Sequence, residues 1–261
     1  MDRHHDAARL LLSARRDPTQ KLHSLPAAMR PRTEEQAYLV QRAIMAELVG
    51  AEPGGAERGG IGGWKVGSPH PAGPFTCAPL PAAGIQASPG FVSTEHCTDG
   101  GVEAEIAVRL AHDLPPREAA YGPEDVMGAI ATAHPAIEVL QSRYVEPDRV
   151  DPLSALADSL AHFGLVVGPA VAGWQSVDWA AEQVALIVNG QEMKRRTGNP
   201  GGDMLRLLAW LANHGARWAG GLRAGQYVTT GSWTGKDLVP PGAEVRAAFS
   251  HAGDAALRFS A

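Results

Sequence analysis

The sequence predicts an α+β fold whose sheets are mixed and largely antiparallel. Short apolar segments typical of β-strands recur from residue 61 onward, with only a few helical segments between them. The two kinds of segment do not alternate strictly, as they would in a doubly wound parallel sheet. The 30 glycines and 20 prolines among 261 residues suit many tight turns and argue against an all-helical architecture.

Helices are predicted in the first sixty residues. Residues 7–14 form a short amphipathic segment. Thr33 and Gln36 fit a capping box, and apolar residues at helical spacing follow them. The glycine-rich segment 50–63 then predicts a loop. We therefore expect a helical N-terminal region over residues 1–60.

The remaining residues, 61–261, are expected to form one domain built mainly from strands. The predicted strands are residues 61–67, 101–110, 136–142, 163–167, 184–193, 227–230, 244–249 and 255–259. An Asn-Gly pair inside 184–193 predicts a two-residue hairpin turn. Helices are expected over residues 123–132 and 204–213, and the proline-rich segment 68–89 is expected to be an irregular loop.

Charge and cysteine content limit the classes of function. Lys and Arg total 23 against 28 Asp and Glu, a formal charge of -5, so no basic surplus indicates nucleic acid or a membrane surface as a partner. Cys77 and Cys97 lack CxxC spacing, and we expect both to be packing residues. The first residues show neither a signal-peptide pattern nor a membrane span, so a cytoplasmic location is expected.

The most informative segment, residues 101–110, alternates apolar and other side chains as a strand does. Glu103 and Glu105 therefore project together from the face opposite the apolar one, with Cα atoms roughly 6.6 Å apart. Two carboxylates this close repel each other unless a proton, a basic residue or a cation lies between them. An ordinary solvated strand face is one interpretation, and a site for a hard divalent ion such as Mg²⁺ is the other.

Two further residues extend the metal hypothesis. Glu138 lies in a short apolar segment typical of a buried strand, where an unpaired carboxylate is costly. It is either paired with a base such as Arg143 or completes a three-carboxylate site with Glu103 and Glu105. Lys65, flanked by apolar residues and glycines, is expected to be partly buried. Burial or a nearby metal would lower its pKa and let it act as a base or as a polarising donor. A lysine that reaches solvent from a strand edge is the alternative.

Several short motifs follow one another in a characteristic order. They are Gly-Trp-Lys-Val-Gly at 63–67, Glu-Ala-Glu-Ile-Ala at 103–107, Ala-Ile-Glu-Val-Leu-Gln-Ser-Arg at 136–143, Ala-Asp-Ser at 157–159, Ala-Trp-Leu-Ala-Asn at 209–213 and Thr-Thr-Gly-Ser at 229–232. Together they resemble the fumarylacetoacetate hydrolase superfamily. Within it, they are most similar to the branch of 2-keto-4-pentenoate hydratases and 4-oxalocrotonate decarboxylases.

The resemblance implies a β-roll core that binds one Mg²⁺ or Mn²⁺ through Glu103, Glu105 and Glu138. It implies a small 2-keto acid as substrate, with Lys65 assisting proton transfer. The simplest expected reaction is hydration of a 2-hydroxy-2,4-dienoate to a 4-hydroxy-2-oxo acid. Decarboxylation of a vinylogous 2-keto acid, hydrolysis of a C–C bond, and a non-catalytic subunit paired with a decarboxylase are the alternatives. Relatives are usually oligomeric, so a homo-oligomer is expected.

The remaining candidates would contact substrate. Thr230 and Ser232 are similar to the family's donors to the substrate carboxylate, although a hydroxyl-rich turn at a strand end is the alternative. Ser159, in the Ala-Asp-Ser motif, is a third candidate. Where the family carries an acidic residue after the lysine motif, segment 68–80 has none, and His70 is a candidate replacement.

Histidine patterns add little. None of the ten histidines shows the spacing of a zinc site. The His–Glu pair that activates water in hydrolases of the superfamily has only a formal counterpart here, Glu95-His96. His162 follows the Ala-Asp-Ser motif closely but matches no position of the family pattern.

Overall fold

The helices and strands are those of a computed structural model, which describes residues 3–51 and 60–261. Within these ranges the α-helices are α1 (Arg3–Arg16), α2 (Glu34–Ala51), α3 (Pro123–Ala129), α4 (Pro152–Ala157) and α5 (Met204–Trp210). The strands are β1 (Ile61–Gly67), β2 (Thr76–Pro81), β3 (Ile85–Ala87), β4 (Gly90–Val92), β5 (Gly101–Leu110), β6 (Ile130–Leu140), β7 (His162–Val167), β8 (Gln183–Val188), β9 (Gln191–Thr197), β10 (Tyr227–Thr229), β11 (Asp237–Leu238), β12 (Glu244–Phe249) and β13 (Gly253–Phe259). No described helix has the length and apolarity needed to cross a bilayer.

Two sheets form the core. The larger has the strand order β2-β1-β10-β5-β6-β7-β3, with β11 beside β5, and the smaller has the order β4-β13-β12-β8-β9. Parallel pairs join β1 to β10, β3 to β7 and β4 to β13, whereas the central pairs are antiparallel. Neither sheet closes into a barrel through the strands described. This arrangement confirms the predicted α+β fold with a mixed, largely antiparallel β-roll core.

The register between β5 and β6 brings acidic residues together. Glu103 lies directly opposite Glu138, and Glu105 follows two residues further along β5. Directly opposed residues of an antiparallel pair point to the same face of the sheet, and so do residues two apart on one strand. All three side chains therefore share one face.

The proline-rich segment 68–89 was predicted to be an irregular loop, and this prediction is wrong in part. It contains β2 and β3, and β2 pairs with β1 along its whole length. Pro79 and Pro81 lie in β2, which is the edge strand of the larger sheet. Proline is tolerated on an edge because no further strand needs its missing N–H group.

Two predicted helices end at other residues in the structure. Helix α3 ends at Ala129 rather than Thr132, because β6 begins at Ile130 and pairs with the end of β5. Helix α5 ends at Trp210 and continues as a π-helical turn, Leu211–Gly215. The loop predicted over residues 50–63 lies mostly outside the described residues, so the domain boundary near residue 60 stays a prediction.

The N-terminal helices pack on the larger sheet's flank. Leu11 of α1 and Val40 of α2 belong to a buried apolar cluster that also contains Leu156 of α4 and Tyr144. This packing places the last turn of α1 beside the start of β7, where Arg15 contacts the backbone.

The hairpin between β8 and β9 confirms the Asn-Gly prediction and provides a stability test. Asn189 and Gly190 both have positive φ, 51° and 79°, as a type I′ turn requires. Gly190→Ala is expected to lower the free energy of unfolding by about 1 kcal/mol, because a Cβ atom disfavours this conformation. Gly128→Ala is the matched control: Gly128 lies in helix α3 with nothing near its missing Cβ, so alanine should stabilise the protein slightly. Urea denaturation measures both, and equal effects would contradict the assignment.

Candidate metal centre

The three glutamates predicted as ligands lie together in the structure. One carboxylate oxygen from each of Glu103, Glu105 and Glu138 lies within 4.8 Å of the other two. Glu105 and Glu138 are buried, and Glu103 is partly buried. The Oε2 atoms of Glu105 and Glu138 have no hydrogen-bond partner among the described residues. Buried carboxylate oxygens without donors are costly, so the cluster requires protons or a cation.

The charges around the cluster fit a divalent cation. Burial raises the pKa of Glu105, and the charges of Glu138 and Glu103 raise it further. Burial also raises the pKa of Glu103. Among the described residues, Lys65 forms an ion pair with the cluster, at Glu138. When all three carboxylates are ionised, they and the Lys65 ammonium leave an imbalance of two negative charges, which Mg²⁺ or Mn²⁺ would neutralise with the oxygen ligands it prefers.

The Glu138 carboxylate is hydrogen-bonded to two basic side chains, which come from strands β1 and β7. Its Oε1 atom accepts hydrogen bonds from Lys65 Nζ at 2.7 Å and from His162 Nδ1 at 2.8 Å. Burial alone would raise the pKa of Glu138, but these two partners lower it to about 2. Both partners bind the same oxygen, so Oε2 remains available to a cation. The alternative pairing of Glu138 with Arg143 is wrong.

Lys65 is buried, as predicted, but without a bound ion its pKa is not lowered as burial alone would predict. Burial lowers the pKa, and the charges of Glu138, Glu103 and Glu105 together outweigh burial, so the pKa is raised. Lys65 therefore carries a proton at neutral pH in the absence of a bound ion. In this state it is a hydrogen-bond donor and an acid rather than a base.

His162 is a polar candidate to which the sequence patterns assign no role. Burial lowers its pKa to about 4, so the ring is neutral near pH 7. Because Nδ1 lies against a carboxylate oxygen, Nδ1 carries the proton and Nε2 is an acceptor. Nε2 is buried with no partner among the described residues. The available signal was a histidine at the start of a strand that pairs with the Glu138 strand.

Arg143 holds the segment that precedes His162. It forms a buried ion pair with Asp158 and also donates to the Asp158 carbonyl. Its Nη1 atom donates to the carbonyls of Gln141 at 2.6 Å and His162 at 2.9 Å. These bonds enclose a turn, residues 159–161, whose three residues all have positive φ. Left-handed backbone costs roughly 1–2 kcal/mol per residue, so the turn depends on these contacts.

Replacing Arg143 therefore tests how strongly this turn is held. Arg143→Met is expected to lower the free energy of unfolding by about 3–5 kcal/mol, because it leaves the Asp158 carboxylate buried and unpaired. Arg149→Met is the control, since Arg149 forms only an exposed pair with Glu146. Urea denaturation of both variants measures the difference, and a loss below about 1 kcal/mol for Arg143→Met would contradict this role.

Two of the hydroxyl candidates lie near the cluster's strands. Ser232 is close enough to Glu103 for its hydrogen bond to lower the pKa of that carboxyl, and its Oγ accepts from the Gly235 N–H at 2.9 Å. Thr230 is fully buried, and its hydroxyl donates to the Ile106 carbonyl at 3.0 Å. Thr230 therefore has acceptor capacity left but no free hydroxyl proton.

The other two predicted residues are placed differently. Ser159 begins the left-handed turn and lines, with His162, a cavity of about 20 Å³. That volume is enough for one water molecule. His70 is exposed in the loop after β1, and no hydrogen bond or ion pair among the described residues joins its side chain to the three glutamates. Glu95 and His96 are also exposed.

Comparison with known proteins identifies the family. The family model described as the fumarylacetoacetate (FAA) hydrolase C-terminal domain matches residues 75–259, which is most of the chain. The chain belongs to the fumarylacetoacetate hydrolase family. The family predicted from the motifs is thus confirmed. A 4-oxalocrotonate decarboxylase of Pseudomonas putida is 30% identical over 171 residues, which cover 65% of this chain and 64% of that relative, less than two thirds of its length.

Solved structures share the fumarylacetoacetate hydrolase fold with this chain. The 4-oxalocrotonate decarboxylase from Pseudomonas putida G7, complexed with magnesium and adipate, has a TM-score of 0.84 at 24% identity, covering 98% of this chain and 97% of that one. A fumarylpyruvate hydrolase from Pseudomonas aeruginosa, in complex with Mn²⁺ and pyruvate, has a TM-score of 0.55 at 15% identity, covering 76% and 88%. At these identities the likeness shows the fold.

Proposed function

We propose that this family member is a lyase that uses Mg²⁺ or Mn²⁺ to decarboxylate a small vinylogous 2-oxo acid, a 2-oxo-3-enedioate. The observation that carries the proposal is the buried cluster of Glu103, Glu105 and Glu138 with its two unbalanced negative charges. The likeness to a 4-oxalocrotonate decarboxylase, and to a fold relative complexed with magnesium and a dicarboxylate, supports it.

The surrounding residues suit decarboxylation better than hydration. Hydration needs a group that takes a proton from water, and segment 68–80, where the family carries an acidic residue, has none. Decarboxylation needs no water: the bond to the distal carboxyl breaks, CO₂ leaves, and the electron pair enters the conjugated system of the 2-oxo acid. A proton must then reach the resulting dienolate.

Each residue of the site has a distinct part in this proposal. A bound divalent ion supplies Lewis acidity at the 2-oxo and carboxylate oxygens of the substrate. Lys65 holds a proton at Nζ for transfer to the dienolate. His162 and Lys65 occupy Oε1 of Glu138, which leaves Oε2 for the ion. Ser232 and Thr230 remain proposed contacts of the substrate carboxylate, for which Thr230 would have to turn its hydroxyl away from the Ile106 carbonyl. His70 has no part in this proposal.

Hydration of a 2-hydroxy-2,4-dienoate is the second candidate. The observation that favours it is the buried Nε2 atom of His162, which has no hydrogen-bond partner in the part of the chain that the structure describes. A neutral imidazole nitrogen of this kind can accept a proton from water.

Homo-oligomerisation and pairing with a second subunit also remain predictions. Gel filtration tests the first, and co-purification tests the second.

One assay separates these functions. Purified protein is incubated with 4-oxalocrotonate or with 2-hydroxypenta-2,4-dienoate, with Mg²⁺ or after chelator treatment, and CO₂ release and NMR products are measured. We expect one CO₂ for each 4-oxalocrotonate consumed, only with metal. Formation of 4-hydroxy-2-oxopentanoate from the dienoate without CO₂ release would identify a hydratase instead. Loss of the dienol absorbance with neither product would show tautomerisation alone and would contradict both functions.

A further inference from the structure

The side chain of Arg15, in helix α1, contacts the backbone of the segment that contains His162. Arg15, in the last turn of α1, donates from Nη1 to the His162 carbonyl at 2.8 Å and from Nη2 to the Phe163 carbonyl at 2.9 Å. Its guanidinium also lies over the Phe163 ring, 5.3 Å from the centroid. Arg15 precedes the region matched by the family model, which begins at residue 75.

Two guanidinium groups thus meet at one backbone oxygen. The His162 carbonyl accepts from Arg15 and also from Arg143, at 2.9 Å. Burial lowers the pKa of Arg15 to about 10, and the charge of Arg143 contributes, but Arg15 remains a cation at neutral pH. Placing two like charges together is unfavourable, and Asp158 partly compensates. Other interactions must offset this electrostatic cost for the arrangement to persist.

The segment held in this way is under backbone strain. Ser159, Leu160 and Ala161 have φ values of 52°, 53° and 63°, and none is a glycine. His162 follows immediately, so the orientation of its ring depends on how the turn is fixed. Arg143 secures the front of the turn at Asp158, and Arg15 secures the residues after it. A planar guanidinium can bridge two successive carbonyls in a way that an ammonium cannot.

We propose that Arg15 is a positioning residue for the metal centre. By holding the carbonyls of His162 and Phe163, it fixes the His162 ring so that Nδ1 donates to Oε1 of Glu138, and Oε2 of Glu138 is left to face the other two carboxylates. The N-terminal helices are then part of the active-site framework. This inference rests on the proposed function in one respect, that Glu138 is a metal ligand.

The test compares Arg15→Met and Arg15→Lys with Arg16→Met, a matched control because Arg16 is the exposed neighbour on the same helix. The first readout is NMR of the metal-free, ¹⁵N-histidine-labelled protein, in which the parent should show His162 protonated at Nδ1 with a downfield proton. His162→Gln assigns that signal. The second readout is Mn²⁺ affinity by calorimetry, and the third is kcat and KM separately.

We expect both Arg15 variants to lose or broaden the His162 signal and to bind Mn²⁺ about tenfold more weakly, the lower end of what outer partners of metal ligands contribute. We expect kcat to fall by a similar factor with little change in KM, and Arg16→Met to match the parent. If Arg15→Met does not fold, the inference is tested on Arg15→Lys. Lysine keeps the positive charge but cannot donate to both carbonyls as the guanidinium does.

A folded Arg15 variant with the parent's His162 signal and Mn²⁺ affinity would overturn the inference. Failure of the proposed function looks different. If the parent binds no Mn²⁺ while Arg15→Lys still loses the His162 signal, then the positioning of the ring stands but its role in a metal centre is overturned.

Discussion

Glu105→Gln is expected to abolish turnover and to weaken Mg²⁺ binding by at least about 100-fold. Glu105 is buried, its Oε2 atom has no partner among the described residues, and its charge is part of the imbalance that a divalent ion would neutralise. Even the outer partners of metal ligands contribute 10–100-fold to affinity, so a ligand itself should contribute at least as much. Calorimetric titration with Mg²⁺ measures the change, and Glu244→Gln, at an exposed carboxylate, is the control.

The same substitution should have the opposite effect on the metal-free protein. Because burial and two neighbouring carboxylates raise the pKa of Glu105, its ionisation destabilises the folded state as the pH rises through that raised pKa. Glutamine removes this cost. Metal-free Glu105→Gln should therefore melt at or above the parent's temperature at pH 8, and the difference should shrink toward pH 5. Mg²⁺ should stabilise the parent, by about 2.7 kcal/mol at a hundredfold excess over Kd, but not the variant.

Loss of Mg²⁺ binding through unfolding would appear as a lower melting temperature of the metal-free variant. That outcome would contradict the predicted cost of ionising Glu105. An unchanged Mg²⁺ affinity in a folded variant would remove Glu105 from the ligand set.

Lys65→Met is expected to keep the metal and lose proton transfer. Lys65 donates to Oε1 of Glu138, whereas Oε2 has no partner among the described residues. The positive charge of Lys65 also opposes a cation at the cluster. Its removal should therefore leave Mg²⁺ affinity equal to or above the parent's. Exchange of the C3 protons of a bound 2-oxo acid needs a base to take a proton and an acid to return a deuteron, and Lys65 would serve as the acid. Proton transfer by a positioned side chain contributes about 10²–10⁴-fold, so the exchange should slow by such a factor.

Proton exchange is followed by NMR in D₂O with 2-oxopentanoate, which has no distal carboxyl and so reports proton transfer alone. Lys194→Met is the control, because Lys194 pairs with Asp237 outside the cluster. Exchange at the parent's rate in metal-loaded Lys65→Met would show that Lys65 is not the proton donor. A variant that exchanges slowly only because it binds no metal would contradict the separation of roles between Lys65 and the glutamates.

The sequence reveals some features of this site and not others. The period of two along β5 places Glu103 and Glu105 on one face, and this follows from strand geometry alone. The approach of Glu138 depends on the register of β5 against β6, which distant packing determines. Sequence could name Glu138 as a buried acid that needs a partner, but only the register selects that partner.

The pairing of Glu138 shows the limit clearly. Arg143 was the natural candidate because it is close in sequence, but it lies beyond the end of β6 and turns toward Asp158. Lys65 and His162 reach Glu138 from other strands. The left-handed turn before His162 has no sequence signal either, since none of its residues is the glycine or asparagine that usually marks such a conformation. The prolines of segment 68–89 led to the wrong prediction of a loop at β2, because an edge strand tolerates proline.

Anomalous diffraction from a crystal grown with Mn²⁺ tests the metal centre most directly. The structure predicts one strong anomalous peak bounded by carboxylate oxygens of Glu103, Glu105 and Glu138, with Lys65 and His162 both on the far oxygen of Glu138. A peak elsewhere, or none while the three carboxylates point apart, would contradict a catalytic metal at this site.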